Sequence, residues 1–215
     1  AEDNWLPPDN FQEQPVVAVA HRTSPTNMGL ALLANLSAYD FGYIPGGELA
    51  LRCNNTLQTM LKMERYKGHF YNWYDTLTLL PLKPRYVSTV DSGNLAGHLL
   101  TLRQGLLSLS RHPVFHPRAY EGLRTTARII DKASKNAQRK EIRAIMDLLD
   151  GARHNNTLSI VKKSLDDLIL LISELAAAQG QSDPVLQVWT DRFLLQAEDI
   201  RDDLLHLVPW LEALP

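Results

Sequence analysis

In the stretch TLSIVKKSLDDLILLISELAAAQ, residues 157–179, the apolar residues Val161, Leu165, Leu168, Ile169 and Ile172 recur at helical spacing, which gathers them on one face of an α-helix. Asp183 followed by Pro184 then supplies an N-cap and a first-turn proline for a helix over Pro184–Leu207, with Trp189, Phe193, Ile200 and Leu204 inward. Working back along the chain, the same periodicity predicts helices over Asn136–Leu149, with Ile142, Ile145, Met146 and Leu149 inward, and over Tyr120–Ala133. Nothing between them reads as a strand, and no fixed-period repeat suggests a solenoid. The expected fold is all-α, with helical hairpins forming a partial α/α toroid or an irregular helical bundle.

The front half is less regular. Ser24 can cap a helix that begins at Pro25 and carries Met28, Leu32, Leu33 and Leu36 inward, until Gly42 and Gly46-Gly47 break the chain. A second helix is expected over Glu48–Tyr66 with Leu49, Cys53, Leu57, Met60 and Leu61 inward. A third begins near Asp91 or Ser92, buries Leu95, Leu99, Leu102 and Leu106, and ends before Arg111-His112-Pro113. Before the first helix, two prolines in Asn4–Phe11 rule out regular helix and predict an ordered arm anchored by Trp5 and Phe11. Three regions are therefore expected: an extended arm over residues 1–24, α-hairpins with long loops over 25–110, and an amphipathic helical extension over 111–215.

Bulk properties narrow the function. The 215 residues are 45% hydrophobic and 21% charged, as in a folded domain, and a net charge of -2 gives no general reason to bind nucleic acid or an anionic membrane. No apolar run approaches the roughly 20 residues that span a bilayer, and the acidic, proline-containing start is unlike a signal peptide. This segment is expected to be soluble; a beginning without methionine is consistent with a piece of something longer. Cys53 is the single cysteine and, between Leu49 and Leu57, reads as a core residue. Glycine-rich phosphate loops and cysteine metal spacings are absent, and His112 and His116 flank prolines that keep them off one helix face, so no cofactor and no metal are expected. The basic run Arg128, Lys132, Lys135, Arg139, Lys140 and Arg143 alternates with apolar and acidic residues, as on a solvated helix face.

Three clusters interrupt this background. Ala20–Asn27 leads into a helix N-terminus, where Ser24 and Thr26 read as capping residues but Arg22 and Asn27 exceed what a cap requires. Gly68–Thr76 packs four aromatics with Asn72, Asp75 and His69, the mixture that covers the C–H face of a pyranose and bonds its hydroxyls, or equally a core-packing loop. Tyr86–His98 carries Ser88, Asp91 and Asn94 into another helix, and Asp91 reads as an N-cap or as half of a carboxylate pair with Asp75. Glycoside chemistry needs such a pair about 5 Å apart for retention and about 6.5 to 9.5 Å for inversion. Sequence gives no such distance, so these two are candidates and no catalytic residue is assigned.

Four strings, NWLPPDNFQE (4–13), AHRTSPTNMGL (20–30), GHFYNWYDT (68–76) and YVSTVDSGNLAGHLL (86–100), resemble in order and spacing the region that follows the glycosyltransferase in bacterial cyclic β-1,2-glucan synthases. The match covers roughly residues 3–110, and the succession also looks like the start of α/α-toroid β-1,2-glucanases and glycoamylase-like domains. The resemblance implies a central region that helps cyclise a linear β-1,2-glucan by transglycosylation, in a parent held at the bacterial inner membrane with this region cytoplasmic. It further implies glucan contacts from Arg22, Asn27, His69, Tyr71, Asn72, Trp73, Asp75, Ser88, Asp91 and Asn94. The family's usual catalytic glutamates belong to a later part of the toroid, so the segment is expected to be catalytically incomplete alone. Its partners would be the glucan, the remaining synthase domains and, through apolar surface left open, other copies of itself. The rival readings are a helical scaffold joining the synthase's catalytic domains and a free-standing hydrolase using Asp75 and Asp91.

Overall fold

The computed structural model describes residues 2–134, 138–153, 157–179 and 183–213. Along the chain lie strands β1 (Asn10–Gln12), β2 (Ala18–Ala20) and β3 (Arg22–Thr23), helices α1 (Pro25–Asp40) and α2 (Gly46–Lys62), and strands β4 (Arg65–Tyr66), β5 (His69–Phe70) and β6 (Tyr74–Asp75). Helices α3 (Thr89–Leu109), α4 (Arg118–Ala133), α5 (Arg139–Ala152), α6 (Leu158–Gln179) and α7 (Pro184–Leu207) follow, and a 3-10 turn over Pro209–Ala213 ends the described chain. The fold is all-α. The strands, absent from the sequence reading, form three antiparallel pairs, β1 with β2, β3 with β6 and β4 with β5. Ribbons of two or three residues are too short to carry the alternation by which strands are recognised.

Tertiary contacts divide the chain into two compact units, one holding Leu49–Ser110 with the chain up to Ser37, the other holding Ala38–Glu48 with the chain from Arg111 onward. In the second unit α4, α5, α6 and α7 each pack on their neighbour in sequence, and α7 returns against α4. Ile145, Leu149, Leu165, Leu168 and Phe193 fill the centre of that bundle. The α7 start is as expected: the Asp183 carboxylate accepts from the backbone N–H groups of Val185 at 2.9 Å and Leu186 at 3.3 Å, and Pro184 follows. The expected start of α5 at Asn136, like Lys135 of the basic run, lies outside the described residues; Arg128, Lys132, Arg139, Lys140 and Arg143 are exposed. Trp189 stands 37% exposed rather than inward, because Thr190 takes the buried place and donates to the Gln179 side chain at 3.1 Å.

In the first unit α1 and α3 meet through glycines. A Cβ on Gly29 would collide with the His98 ring, and one on Gly105 would collide with Leu36. Both pairs advance by seven residues, so the two helices run side by side in the same direction and present their N-termini at one end. Their inner faces carry Met28, Leu32, Leu95 and Leu102, all buried, with Leu33, Leu36, Leu99 and Leu106 half-buried.

Two expectations need correction here. Trp5 and Phe11 are 42% and 56% exposed and do not anchor the arm. Polar pegs hold it instead: the hydroxyls of Thr56 and Thr59 on α2 donate to the carbonyls of Trp5 at 3.0 Å and Asn4 at 2.7 Å, while the Asn4 amide donates to Thr76 O at 2.8 Å. Leu6 is a buried apolar side chain of the arm. The same pegs explain Leu61, which is 65% exposed, since Thr56 and Thr59 occupy inward positions of α2.

Candidate functional site

The aromatic segment begins with a tight hairpin. Lys67 and Gly68, with φ of 49° and 87°, occupy the left-handed region between β4 and β5, as a two-residue turn matched to strand twist requires. Tyr74 then locks the loop from within: fully buried, its hydroxyl donates to Glu64 O at 2.6 Å and accepts from Tyr71 N at 2.8 Å, and burial pushes its pKa up to about 12. The returning segment 80–88 is zipped to it by backbone bonds, Asp75 N to Leu80 O at 3.0 Å, Leu82 N to Trp73 O at 2.9 Å and Asn72 N to Tyr86 O at 2.9 Å.

Between the β4–β5 hairpin and this returning segment opens a cavity of about 550 Å³ lined by Tyr66, Lys67, His69, Tyr71, Arg85, Tyr86 and Val87. Its size and walls suit one or two sugar rings: three tyrosines offer flat apolar faces, and cationic and imidazole groups supply donors. Arg85 lies 5.9 Å over the Tyr71 ring and Lys67 5.5 Å over Tyr66, so the cations are held against the aromatic walls.

Behind one wall runs a polar bridge between loop and helix. With its carboxamide oriented to face its donors, buried Asn72 accepts from Tyr86 Oη at 2.7 Å and Trp73 Nε1 at 2.6 Å, and donates to Asp91 Oδ2 at 3.1 Å. The other Asp91 oxygen accepts from Thr26 Oγ1 at 2.6 Å, and Asn94 donates to that same hydroxyl at 3.1 Å. Asp91 is not the N-cap of α3. Ser88 is, accepting from Asp91 N at 3.2 Å, which frees the carboxylate to join α1, α3 and the loop. Burial pushes the Asp91 pKa up, but hydrogen bonds from Ser88, Thr26 and Ser24 outweigh it and hold the carboxyl below its usual range. The paired N-termini of α1 and α3 favour the same ionised form.

The remaining site candidates fall around this bridge. Arg22 donates to Asp9 Oδ2 from Nε at 3.2 Å and Nη2 at 3.0 Å, Asn27 donates to Asp9 Oδ1 at 3.0 Å, and the Arg22 guanidinium lies 4.8 Å over the Trp73 ring. His69 contacts Ser92 Oγ at 3.3 Å and, with Tyr71, reaches the cavity. Asp75 lies apart, its Oδ1 accepting from Thr78 N at 2.7 Å, Leu77 N at 3.0 Å and Thr78 Oγ1 at 3.0 Å. The Thr78 N–H foremost lowers its pKa. Asp75 and Asp91 thus have separate partners, and both are held ionised. The sequence reading missed Tyr66, Lys67 and Arg85 in the cavity lining; of the two capping residues it named, Ser24 accepts from Asn27 N at 3.2 Å, while Thr26 instead donates to Asp91. The signal for Lys67 lay in the dipeptide Lys67-Gly68 between aromatics, a hairpin turn that carries its first side chain to the rim.

Among the described residues no group of three metal-ligating side chains exists and no helix is long and apolar enough to cross a membrane. No family model matches the chain. It is 40% identical over 181 residues to the cyclic beta-(1,2)-glucan synthase NdvB of Rhizobium meliloti (strain 1021), a match that covers 82% of this chain and 6% of that protein.

Proposed function

We propose, for a chain that belongs to the cyclic β-1,2-glucan synthase family, that its tyrosine-lined cavity binds part of a β-1,2-glucan and presents it for transglycosylation and ring closure completed by other parts of the synthase. The observation that carries this reading is the cavity of about 550 Å³ walled by Tyr66, Tyr71 and Tyr86 with His69 at its side. Stacking against ring faces is the commonest way a protein covers the C–H surface of a pyranose, and it needs rigid walls. Tyr86 has such rigidity through Asn72 and Asp91, and Tyr71 through Tyr74. The side-by-side, same-direction course of α1 and α3 supports a toroid-like arrangement, in which inner helices run parallel and their loops gather at one end.

In this reading Asn72, Asp91, Thr26 and Asn94 position the wall rather than touch sugar, and Arg22, Asn27 and Trp73 form its flank. Asp75 fixes a turn. General acid chemistry is not assigned to Asp75 or Asp91, since each is held ionised by its partners. The parent synthase would sit at the bacterial inner membrane with this region on the cytoplasmic side.

A helical scaffold linking other synthase domains is the second reading, and one observation favours it: the polar atoms of Asn72, Asp91 and Trp73 are spent on one another. Titration with linear β-1,2-glucooligosaccharides, followed by calorimetry, separates the two. Saturable binding is expected, weakened roughly 3- to 10-fold in Tyr71→Ala, the equivalent of losing about 0.5–1.5 kcal/mol of ring contact. Heat of dilution alone at millimolar ligand would leave only the scaffold.

A further inference from the structure

We infer that the indole of Trp73 is a second sugar platform beside the cavity, and that Arg22 covers it until a glucan long enough to run on past the tyrosine walls takes its place. The inference rests on the glucan reading of the cavity and adds to it a dependence on chain length. Trp73 Nε1 and Tyr86 Oη both donate to the one side-chain oxygen of Asn72, at 2.6 and 2.7 Å, so the indole edge stands next to the hydroxyl of a cavity wall. The same bond fixes the ring. An indole whose N–H is held by a buried amide presents a rigid plane, and it is the largest aromatic face a protein can lay against a pyranose.

That face is occupied by a side chain free to leave it. Strand β3 pairs with β6 so that Arg22 lies opposite Asp75, which makes Trp73 its diagonal neighbour and brings the guanidinium over the indole at 4.8 Å. The Arg22 side chain is 53% exposed, and its Nε and Nη2 both lean on a single oxygen, Asp9 Oδ2. Exposed ion pairs and exposed cation–π contacts are each weak, and a ring stacked on the indole replaces the second of them. Departure of Arg22 leaves the arm attached, because Asp9 Oδ1 still accepts from Asn27, Asp9 N still donates to Ala20 O, and Thr56 and Thr59 still hold the carbonyls of Trp5 and Asn4. The contact over Trp73 is therefore a removable cover, not the tie that fixes the arm.

The test is calorimetric titration of the unmodified chain and of Arg22→Ala with a disaccharide and a hexasaccharide of β-1,2-linked glucose. Removing the cover is expected to tighten hexasaccharide binding about 3- to 10-fold and disaccharide binding less, since the short sugar ends between the tyrosines. Asp9→Asn, which unpairs the guanidinium but keeps an oxygen for Asn27, should act in the same direction with a smaller gain. Circular dichroism checks that both variants remain folded. An equal gain for the two sugars, no gain, or a loss for the hexasaccharide would overturn the inference, a loss showing that Arg22 itself holds sugar. Each of these leaves the glucan reading of the cavity standing. Absence of binding by either sugar at millimolar concentration, with the unmodified chain and the variants alike, would remove that reading and this inference with it.

Discussion

The interior of the four-helix unit is dominated by aliphatic and aromatic side chains, with Ile145, Leu149, Leu165, Leu168 and Phe193 at or near zero exposure and buried polar residues such as Thr190 and Gln179 bonded to each other, whereas the interior of the unit that carries the cavity mixes Met28, Leu32 and Leu49 more evenly with Thr23, Thr56, Thr59, Asn72 and Thr76. The contrast follows from what each unit must hold. Apolar burial is strong but directionless, enough to pin regular helices together. Irregular loops need partners that fix them atom by atom, which is what hydroxyls, an amide and a carboxylate provide. A site built on such loops inherits their precision and their sensitivity to the loss of a single bond.

Three substitutions or conditions press on that contrast. The largest effect is expected in the apolar unit: Leu165→Ala removes a fully buried side chain and should cost about 3 kcal/mol, read as a lower denaturation midpoint, with little change in ligand binding. A loss under 1 kcal/mol would mean the bundle is far less tightly packed than its exposures imply. Next comes Asn72→Leu, which strands Tyr86 Oη, Trp73 Nε1 and Asp91 Oδ2 together. It should cost roughly 1–3 kcal/mol and, unlike the core change, weaken oligosaccharide binding and move the tryptophan emission; unchanged emission would show that the bridge does not form.

The smallest effect concerns the arm. Asp3 accepts from Thr76 Oγ1 and pairs with His21 Nδ1 at 2.8 Å; burial raises the Asp3 pKa, but Thr76 and His21 outweigh it and lower it, while Asp3 raises that of His21. The lowered Asp3 contributes above its unfolded value near 3.8 and is lost as acid protonates it; the raised His21 contributes below about 6.5 and is lost as the pH climbs through its folded value. Attachment of the arm is thus strongest between about pH 4 and 6.5. The protection of the Leu6 amide, its exchange measured relative to the intrinsic rate at each pH, should be greatest in that window and fall on both sides; protection independent of pH would mean the pair does not hold the arm.

Much of the helical part was legible because its cause is local. Asp183-Pro184 carries its own cap and Val161 to Ile172 its own stripe, whatever the rest of the chain does. Where reading failed, a distant partner had intervened. Trp5 and Phe11 are apolar enough to suggest anchors, yet Thr56 and Thr59, some fifty residues on, hold the arm by its carbonyls. The site divides in the same way. The aromatic string from Gly68 to Thr76 announced a platform, and a resemblance supplied the sugar. That Ser88 would cap α3 and release Asp91 to reach Thr26 and Asn72 depends on three segments meeting, which spacing along one of them does not contain.

The glycines between α1 and α3 carry a consequence for the loops above them. With only hydrogen atoms at Gly29 and Gly105, backbone rests almost directly on His98 and Leu36, so the separation of the two rods is a hard stop rather than an adjustable spacing. Thr26 sits three residues from one of these stops, and the reach from its hydroxyl to Asp91 is thereby gauged by atoms that are not there. A methyl group added at Gly29 would act as a shim, prising the rods apart and slackening the tether that steadies Tyr86 on the far side of the loop.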